Sequence, residues 1–243
     1  MPAETCHRHG CVLQFETISA LGESYRMGSG CSLCDEESAR KSEDEEAHRR
    51  KITFSRAQVS AGIPARYRSS VIGQFPIPAN GQQEVLDAAK HFVGTSGANS
   101  TGLIFMGKVG TGKSHLACAL LSEFLKKGLV CQFLSATQAF RLIKECWARN
   151  ADKTENQAIR SFTTPHLLVL DEVGVQKDSA TEYLFLNEIV NERYNAMRPT
   201  ILLTNLTMEE FTKLLGDRIV DRFREGGHVL VFDWDSQRQR GNK

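Results

Sequence analysis

No apolar run in this chain of 243 residues approaches the roughly 20 residues that a membrane-spanning helix needs. An excess of one charge is missing as well: 30 Lys and Arg stand against 29 Asp and Glu, a formal net charge of +1. So even a balance gives no global attraction to nucleic acid or to an anionic membrane, and any such contact must come from a local patch. A secretory leader is not expected, because the opening residues are polar and carry Cys6, His7, Arg8 and His9. Internal repeats and low-complexity tracts are absent, which excludes repeat architectures. These absences lead to the expectation of a soluble, cytoplasmic protein with no membrane partner.

The length suits one α/β domain of good size with a small appendage. Seven cysteines are unevenly spread, four of them (Cys6, Cys11, Cys31, Cys34) in the first 34 residues. Disulfides are disfavoured in a reducing compartment, so the clustered four call for another explanation. Cys118, Cys131 and Cys146 lie in apolar contexts and read as small core residues.

Three segments follow from composition: a Cys/His-rich module at 1–34, a charged helical linker at 35–58, and a large domain at 59–243. In the linker, Glu36 with Arg40, Glu37 with Lys41, and Glu46 with Arg49 and Arg50 fall at helical pairing distances. The large domain opens with "VSAGIPARYRSSVIGQF" and an amphipathic helix at 80–94. Strands are then expected at 102–107, 130–135, 167–171, 200–205 and 228–233. Helices are expected at 113–127, 137–149, 182–196 and 207–215. Alternating β and α elements with apolar strands predict a parallel sheet covered on both faces.

"GKVGTGKS", Gly107 to Ser114, matches G-x-x-x-x-G-K-[ST] between an apolar strand and a helix. Glycines allow the backbone to curl until its N–H groups face phosphate oxygens, and the following helix presents its positive end. Gly107, Gly110, Thr111, Gly112, Lys113, Ser114 and His115 are therefore the expected ATP-binding residues. Lys113 would reach the β- and γ-phosphates, and the Ser114 hydroxyl would hold magnesium. "HLLVLDEVG" ends its apolar run in Asp171 and Glu172. Asp171 suits the metal and its water shell, and Glu172 suits polarisation of an attacking water. The second carboxylate argues for hydrolysis over phosphate transfer to a small molecule, and a complete set of such groups argues against a non-hydrolysing adaptor. "PTILLTNL" ends in Thr204 and Asn205, and Asn205 can sense the γ-phosphate or orient the water. Thr207 and Glu210 have capping-box spacing. In "LLGDRIVDRFREGG", Arg222 and Arg224 read as local ion pairs on an exposed helix.

The phosphate loop, "LLVLDEVG", "TILLTNLTMEEFTKLLGDRIVDRFREGG" and "VFDWDSQR" together resemble the DnaC-type helicase loaders of bacteria and phages. These are AAA+ ATPases, alongside the IstB-type transposition helpers. The resemblance spans roughly residues 55–240. It implies a P-loop AAA+ fold, a five-stranded parallel sheet flanked by helices. It also implies that Arg218 is an arginine finger entering a neighbouring subunit's site, so that the chain self-assembles. Arg238 matches the second sensor arginine, with Arg240 a near alternative. "GIPARYRSS" resembles the entry peptide near adenine, which offers Ile63 and Tyr67. The implied function is ATP-dependent loading of a hexameric replicative helicase onto single-stranded DNA in replication initiation. The alternative is an IstB-like transposition helper acting on duplex DNA. Arg141, Lys144, Trp147 and Arg149 are of the right type for single-stranded DNA, or form an ordinary half-buried helix.

Cys6-x-x-His9 and Cys31-x-x-Cys34 form two short ligand pairs, the spacing of a tetrahedral zinc site. Cys11 rivals His9 for the fourth position. Thirty-four residues cannot build a self-sufficient core, so zinc would supply the folding energy. Such a zinc-ribbon-like module departs from the helical N-terminal module of the best-known bacterial loaders and is more reminiscent of phage-type variants. It leaves docking to the helicase, to DNA or to an initiator open.

Overall fold

The computed structural model of the chain describes residues 4–20, 23–75, 82–95, 100–175 and 180–237. It divides into two compact units, Met1–Thr53 and Phe54–Lys243. No helix among the described residues is long and apolar enough to cross a membrane.

In the first unit a tight turn follows Cys6, closed by Gly10 N–H donating to the Cys6 carbonyl at 2.8 Å. Gly10 takes a φ of 67°, which a side chain rarely tolerates. An antiparallel hairpin follows, β1 (Gln14–Ala20) and β2 (Glu23–Ser29), paired from Gln14↔Ser29 to Ala20↔Glu23. The sequence reading missed this hairpin, because the polar residues of both strands hide any clean alternation. Helix α1 (Ser32–Ser60) then carries the charged stretch. Glu46 pairs with Arg50 at 3.1 Å as the spacing predicts, whereas Glu37 turns to Arg8 and His9, at 3.1 and 3.0 Å.

In the second unit the elements are α2 (Gln82–Gly94), β3 (Gly102–Gly107), α3 (Lys113–Lys126), β4 (Cys131–Ser135) and α4 (Ala136–Glu145). They continue with α5 (Glu155–Thr163), β5 (Leu167–Val173), α6 (Ala180–Asn195), β6 (Thr200–Thr204), α7 (Met208–Leu215), α8 (Asp217–Gly226) and β7 (Gly227–Phe232). Five parallel strands lie in the order β4-β5-β6-β3-β7. Alternate residues of each strand feed two cores. Leu103, Phe105, Val169 and Leu203 pack beneath α2 and α3, while Ile104, Met106, Leu170 and Leu202 pack against the helices of the opposite face. Burial on both faces is why the strands read as unbroken apolar runs.

Among the described residues, capping boxes start three helices: Ser135 with Gln138, Thr154 with Gln157, and the expected Thr207 with Glu210. Helix α5 was not anticipated, since only Ala158, Ile159 and Phe162 of its nine residues are buried. Helix α4 stops at Glu145 rather than 149, and Trp147 lies in the turn beyond it. Cys118 and Cys131 are core residues as expected, while Cys146 is only half-buried. Arg222 corrects a second expectation. It donates to Asn191 Oδ1 and lies 4.3 Å over the Tyr194 ring, whereas Arg224 sits 3.9 Å from Asp221.

Candidate functional site

The carboxyl ends of parallel strands form the crevice where such sheets bind ligands. Here β3 delivers the glycine loop, β5 the two carboxylates and β6 Asn205. At Gly107, with a φ of 145°, a Cβ would stand 2.1 Å from the Phe232 carbonyl oxygen, so β7 forbids a side chain there. At Gly110, with a φ of 86°, a Cβ would meet Ser236 Oγ at 2.1 Å.

Lys113 is 7% exposed. Its ammonium donates to the carbonyls of Gly107 and Lys108 at 2.6 and 2.7 Å, inside the curl of the loop. Ser114 Oγ donates to Asp171 Oδ2 at 2.7 Å, joining residues 57 positions apart in sequence. The other Asp171 oxygen accepts from Glu172 N–H at 2.8 Å. Opposite a single residue of β6, strand β5 inserts both Asp171 and Glu172, because its register shifts between Leu170 and Val173. Glu172 takes a φ of 59°, a left-handed conformation uncommon for a side-chain-bearing residue. Bulges of this kind re-aim side chains at strand ends, and local strain of this type clusters at functional sites. The result separates the two carboxylates: Asp171 is tied to Ser114, and Glu172 is turned out into the cavity.

A cavity of about 280 Å³ is lined by Lys113, Ser114, His115, Asp171, Glu172 and Asn205, together with Arg66, Tyr67 and Gln237. His115 approaches Ser70 Oγ through Nδ1 at 3.2 Å, and its ring meets Tyr67 edge-on. Burial pushes its pKa down, which favours the neutral imidazole. Of the two entry-peptide candidates, Tyr67 lines the cavity, while Ile63 is 1% exposed in the core. Arg66, 4.5 Å over the Tyr67 ring, was not singled out from sequence. The only available signal was its place between the glycine turn and an aromatic. Arg218 stands exposed in the first turn of α8 and does not line this cavity. Arg238 and Arg240 lie outside the described residues.

The helix read as a DNA surface has its cations met by acids. Lys144 pairs with Glu182 at 2.8 Å and Arg141 lies 4.0 Å from Glu145. The Trp147 indole donates to Glu155 at 2.6 Å, and Arg149 is exposed.

In the first unit, Cys6, His9, Cys31 and Cys34 offer ligand atoms all within 4.8 Å of one another. Tetrahedral ligands about 2.3 Å (sulfur) and 2.0–2.1 Å (nitrogen) from zinc stand about 3.8 Å apart sulfur to sulfur and 3.5 Å sulfur to nitrogen. Cys6 and Cys34 sulfurs are 3.7 Å apart, and His9 Nδ1 lies 3.9, 3.5 and 3.3 Å from Cys6, Cys31 and Cys34. The donor set and its edges therefore fit zinc. Cys11 stands 2.9 Å from Cys31, closer than two thiolates on one ion sit, and falls outside the group of four. That contact holds the Cys31 thiol down at about 6, so a thiolate is available at neutral pH. Glu37 accepts His9 Nε2–H at 3.0 Å, the outer contact that orients a ligating imidazole.

A family model described as IstB-like ATP binding protein matches residues 79–243. The chain is 35% identical over 206 residues to the replicative helicase loader DnaC of Escherichia coli (strain K12), covering 84% of each. It is 33% identical over 186 residues to DnaC of Buchnera aphidicola subsp. Acyrthosiphon pisum, covering 75% of this chain and 76% of that one. A crystal structure of the DnaC helicase loader superposes with a TM-score of 0.61 at 26% identity, covering 69% of this chain and 99% of the other. DnaI, at 21% identity and a TM-score of 0.59, shares the fold over 69% of this chain and 93% of its own.

Proposed function

We propose that this chain, which belongs to the family of IstB-like ATP-binding proteins and is an AAA+ ATPase, loads a hexameric replicative helicase onto single-stranded DNA. The observation that carries the reading is the identity to helicase loaders over 84% of both chains, far more than a phosphate loop. Lys113 and the loop N–H groups would hold the phosphates of ATP. Ser114 and Asp171, already in contact, would hold magnesium, which neutralises developing phosphate charge when bound. Glu172 would polarise the attacking water, with Asn205 beside it. Arg218, exposed and outside its own cavity, suits a finger reaching a neighbouring copy, and Arg238 suits a sensor in its own subunit. Hydrolysis in such an assembly loosens contacts between subunits, which is how chemistry would release the cargo.

We read residues 1–34 as the zinc module, 35–58 as the linker and 59–243 as the ATPase domain. Cys6, His9, Cys31 and Cys34 would hold the zinc, and the module would dock the helicase. Cys31→Ser is expected to abolish zinc retention and helicase capture while ADP affinity stays within about twofold, a factor below 0.5 kcal/mol. Normal helicase capture by a zinc-free variant would contradict the module's role.

The family description keeps a second reading in view, an IstB-like helper acting on duplex DNA. Hydrolysis measured with single-stranded and with duplex DNA separates the two. The loader reading expects the larger response to single strands. A response to duplex alone would contradict it.

A further inference from the structure

We propose that Trp234 is a positioning residue for phosphate binding: with the backbone N–H of Gln237, its indole N–H fixes two peptide groups of the phosphate loop so that their own N–H groups face the nucleotide. The Trp234 indole donates to the Thr111 carbonyl at 2.9 Å. The Gln237 N–H donates to the Gly110 carbonyl at 2.8 Å. The described peptides include no cis bond, and in a trans peptide the C=O and the following N–H point in opposite directions. Holding the Gly110 oxygen against Gln237 therefore aims the Thr111 N–H the other way. Holding the Thr111 oxygen against Trp234 does the same for the Gly112 N–H. Both are loop donors of the kind that cradle phosphate. Released, either carbonyl can rotate inward and set a partial negative charge against a phosphate oxygen.

The indole is itself held in place. Its ring lies 4.9 Å from Phe232 and 6.3 Å from Phe75, the latter edge-on. Phe75 in turn floors the loop, since a Cβ on Gly112 would stand 2.8 Å from its Cε2. The Thr111 hydroxyl closes the curl by donating to the Lys108 carbonyl at 2.9 Å. The Trp234 indole and the Gln237 N–H thus act on the phosphate loop through two backbone carbonyls.

The inference rests on the chain's binding of ATP. Trp234→Phe keeps an aromatic ring against Phe232 and Phe75 but removes the indole donor. Gln237→Pro removes the other donor, because proline has no N–H, and Gln237→Ala is its control, since it removes only the side chain that lines the cavity. Trp234→Phe and Gln237→Pro are each expected to weaken ADP affinity and raise KM for ATP about tenfold relative to the parent and, for the proline variant, to Gln237→Ala, with kcat changing less than about threefold, the signature of lost binding. The melting temperature should move by less than about 2 °C, the smaller end of what 1 kcal/mol does to a domain of this size. ADP affinity within twofold of the parent in both variants overturns the proposal. So does a melting temperature that falls with the affinity, which makes Trp234 a packing element. A parent protein that binds no ADP overturns the ATP reading itself, a separate outcome from a parent that binds and variants that do not differ.

Discussion

Glu172→Gln is expected to slow ATP hydrolysis by about 100- to 10,000-fold, the range a positioned general base supplies. The affinities for ATP and ADP should stay within a few fold. The asymmetry between the two carboxylates carries the argument. Asp171 is engaged on both oxygens, by Ser114 Oγ at 2.7 Å and by Glu172 N–H at 2.8 Å. A carboxylate held in that way suits a metal and its waters better than proton abstraction. Glu172 is exposed, and its φ of 59° sits in a bulge that turns it away from the strand ladder. Glutamine keeps the size and the amide-compatible geometry and loses only the basic oxygen. Phosphate release at saturating ATP, beside calorimetric nucleotide affinities, reads both quantities. A variant that keeps more than a tenth of the parent rate would remove Glu172 from the chemistry.

Arg193→Met is expected to destabilise the ATPase domain by about 3–5 kcal/mol, since each orphaned buried acceptor costs about 1–3 kcal/mol and some will find water. Arg193 is 0% exposed. Its Nε donates to Thr200 Oγ1 at 2.9 Å. One terminal nitrogen donates to the carbonyls of Phe162 and Pro165 at 2.9 and 2.8 Å, the other to those of His166 and Pro199 at 3.2 and 2.6 Å. All the donors of a guanidinium are thereby used. Burial, and then the nearby Arg198, push its pKa down to about 9. The side chain ties the end of α5 to the starts of β5 and β6, at the amino ends of two interior strands and away from the carboxyl ends that form the cavity. A loss of this size lowers the melting temperature by about 6–20 °C in a domain of 150–250 residues. Hydrolysis at low temperature should persist, because no group of the site is touched. A shift under about 3 °C would mean that water replaces the guanidinium at little cost.

These two residues mark where sequence reasoning succeeds and where it stops. Asp171 and Glu172 stand out because an apolar run ending in paired acids is a local pattern, and so is the glycine loop. The parallel sheet was legible for the same reason, since strands buried on both faces leave continuous apolar runs. The bulge that divides the labour of the acids was not legible, because it depends on register against β6. Arg193 sits in "NERYN" and reads there as an ordinary surface arginine. Its burial depends on carbonyls from residues that meet it only in the fold. The hold of Trp234 on Thr111, 123 positions away, is hidden for the same reason. Helix α5 escaped notice because its three apolar core residues, Ala158, Ile159 and Phe162, make too short a period, and the β1–β2 hairpin because polar residues interrupt its alternation. The two cysteine pairs were visible by spacing, whereas the choice between His9 and Cys11 needed the distances around Cys31.

The claim that matters most is that ATP state governs capture of a ring helicase. Native mass spectrometry of the purified chain mixed with the hexameric replicative helicase of its own cell, in ATP and in ADP, tests it directly. The account predicts a discrete complex whose stoichiometry changes with the nucleotide. No complex in either nucleotide, with self-assembly on duplex DNA instead, would contradict it.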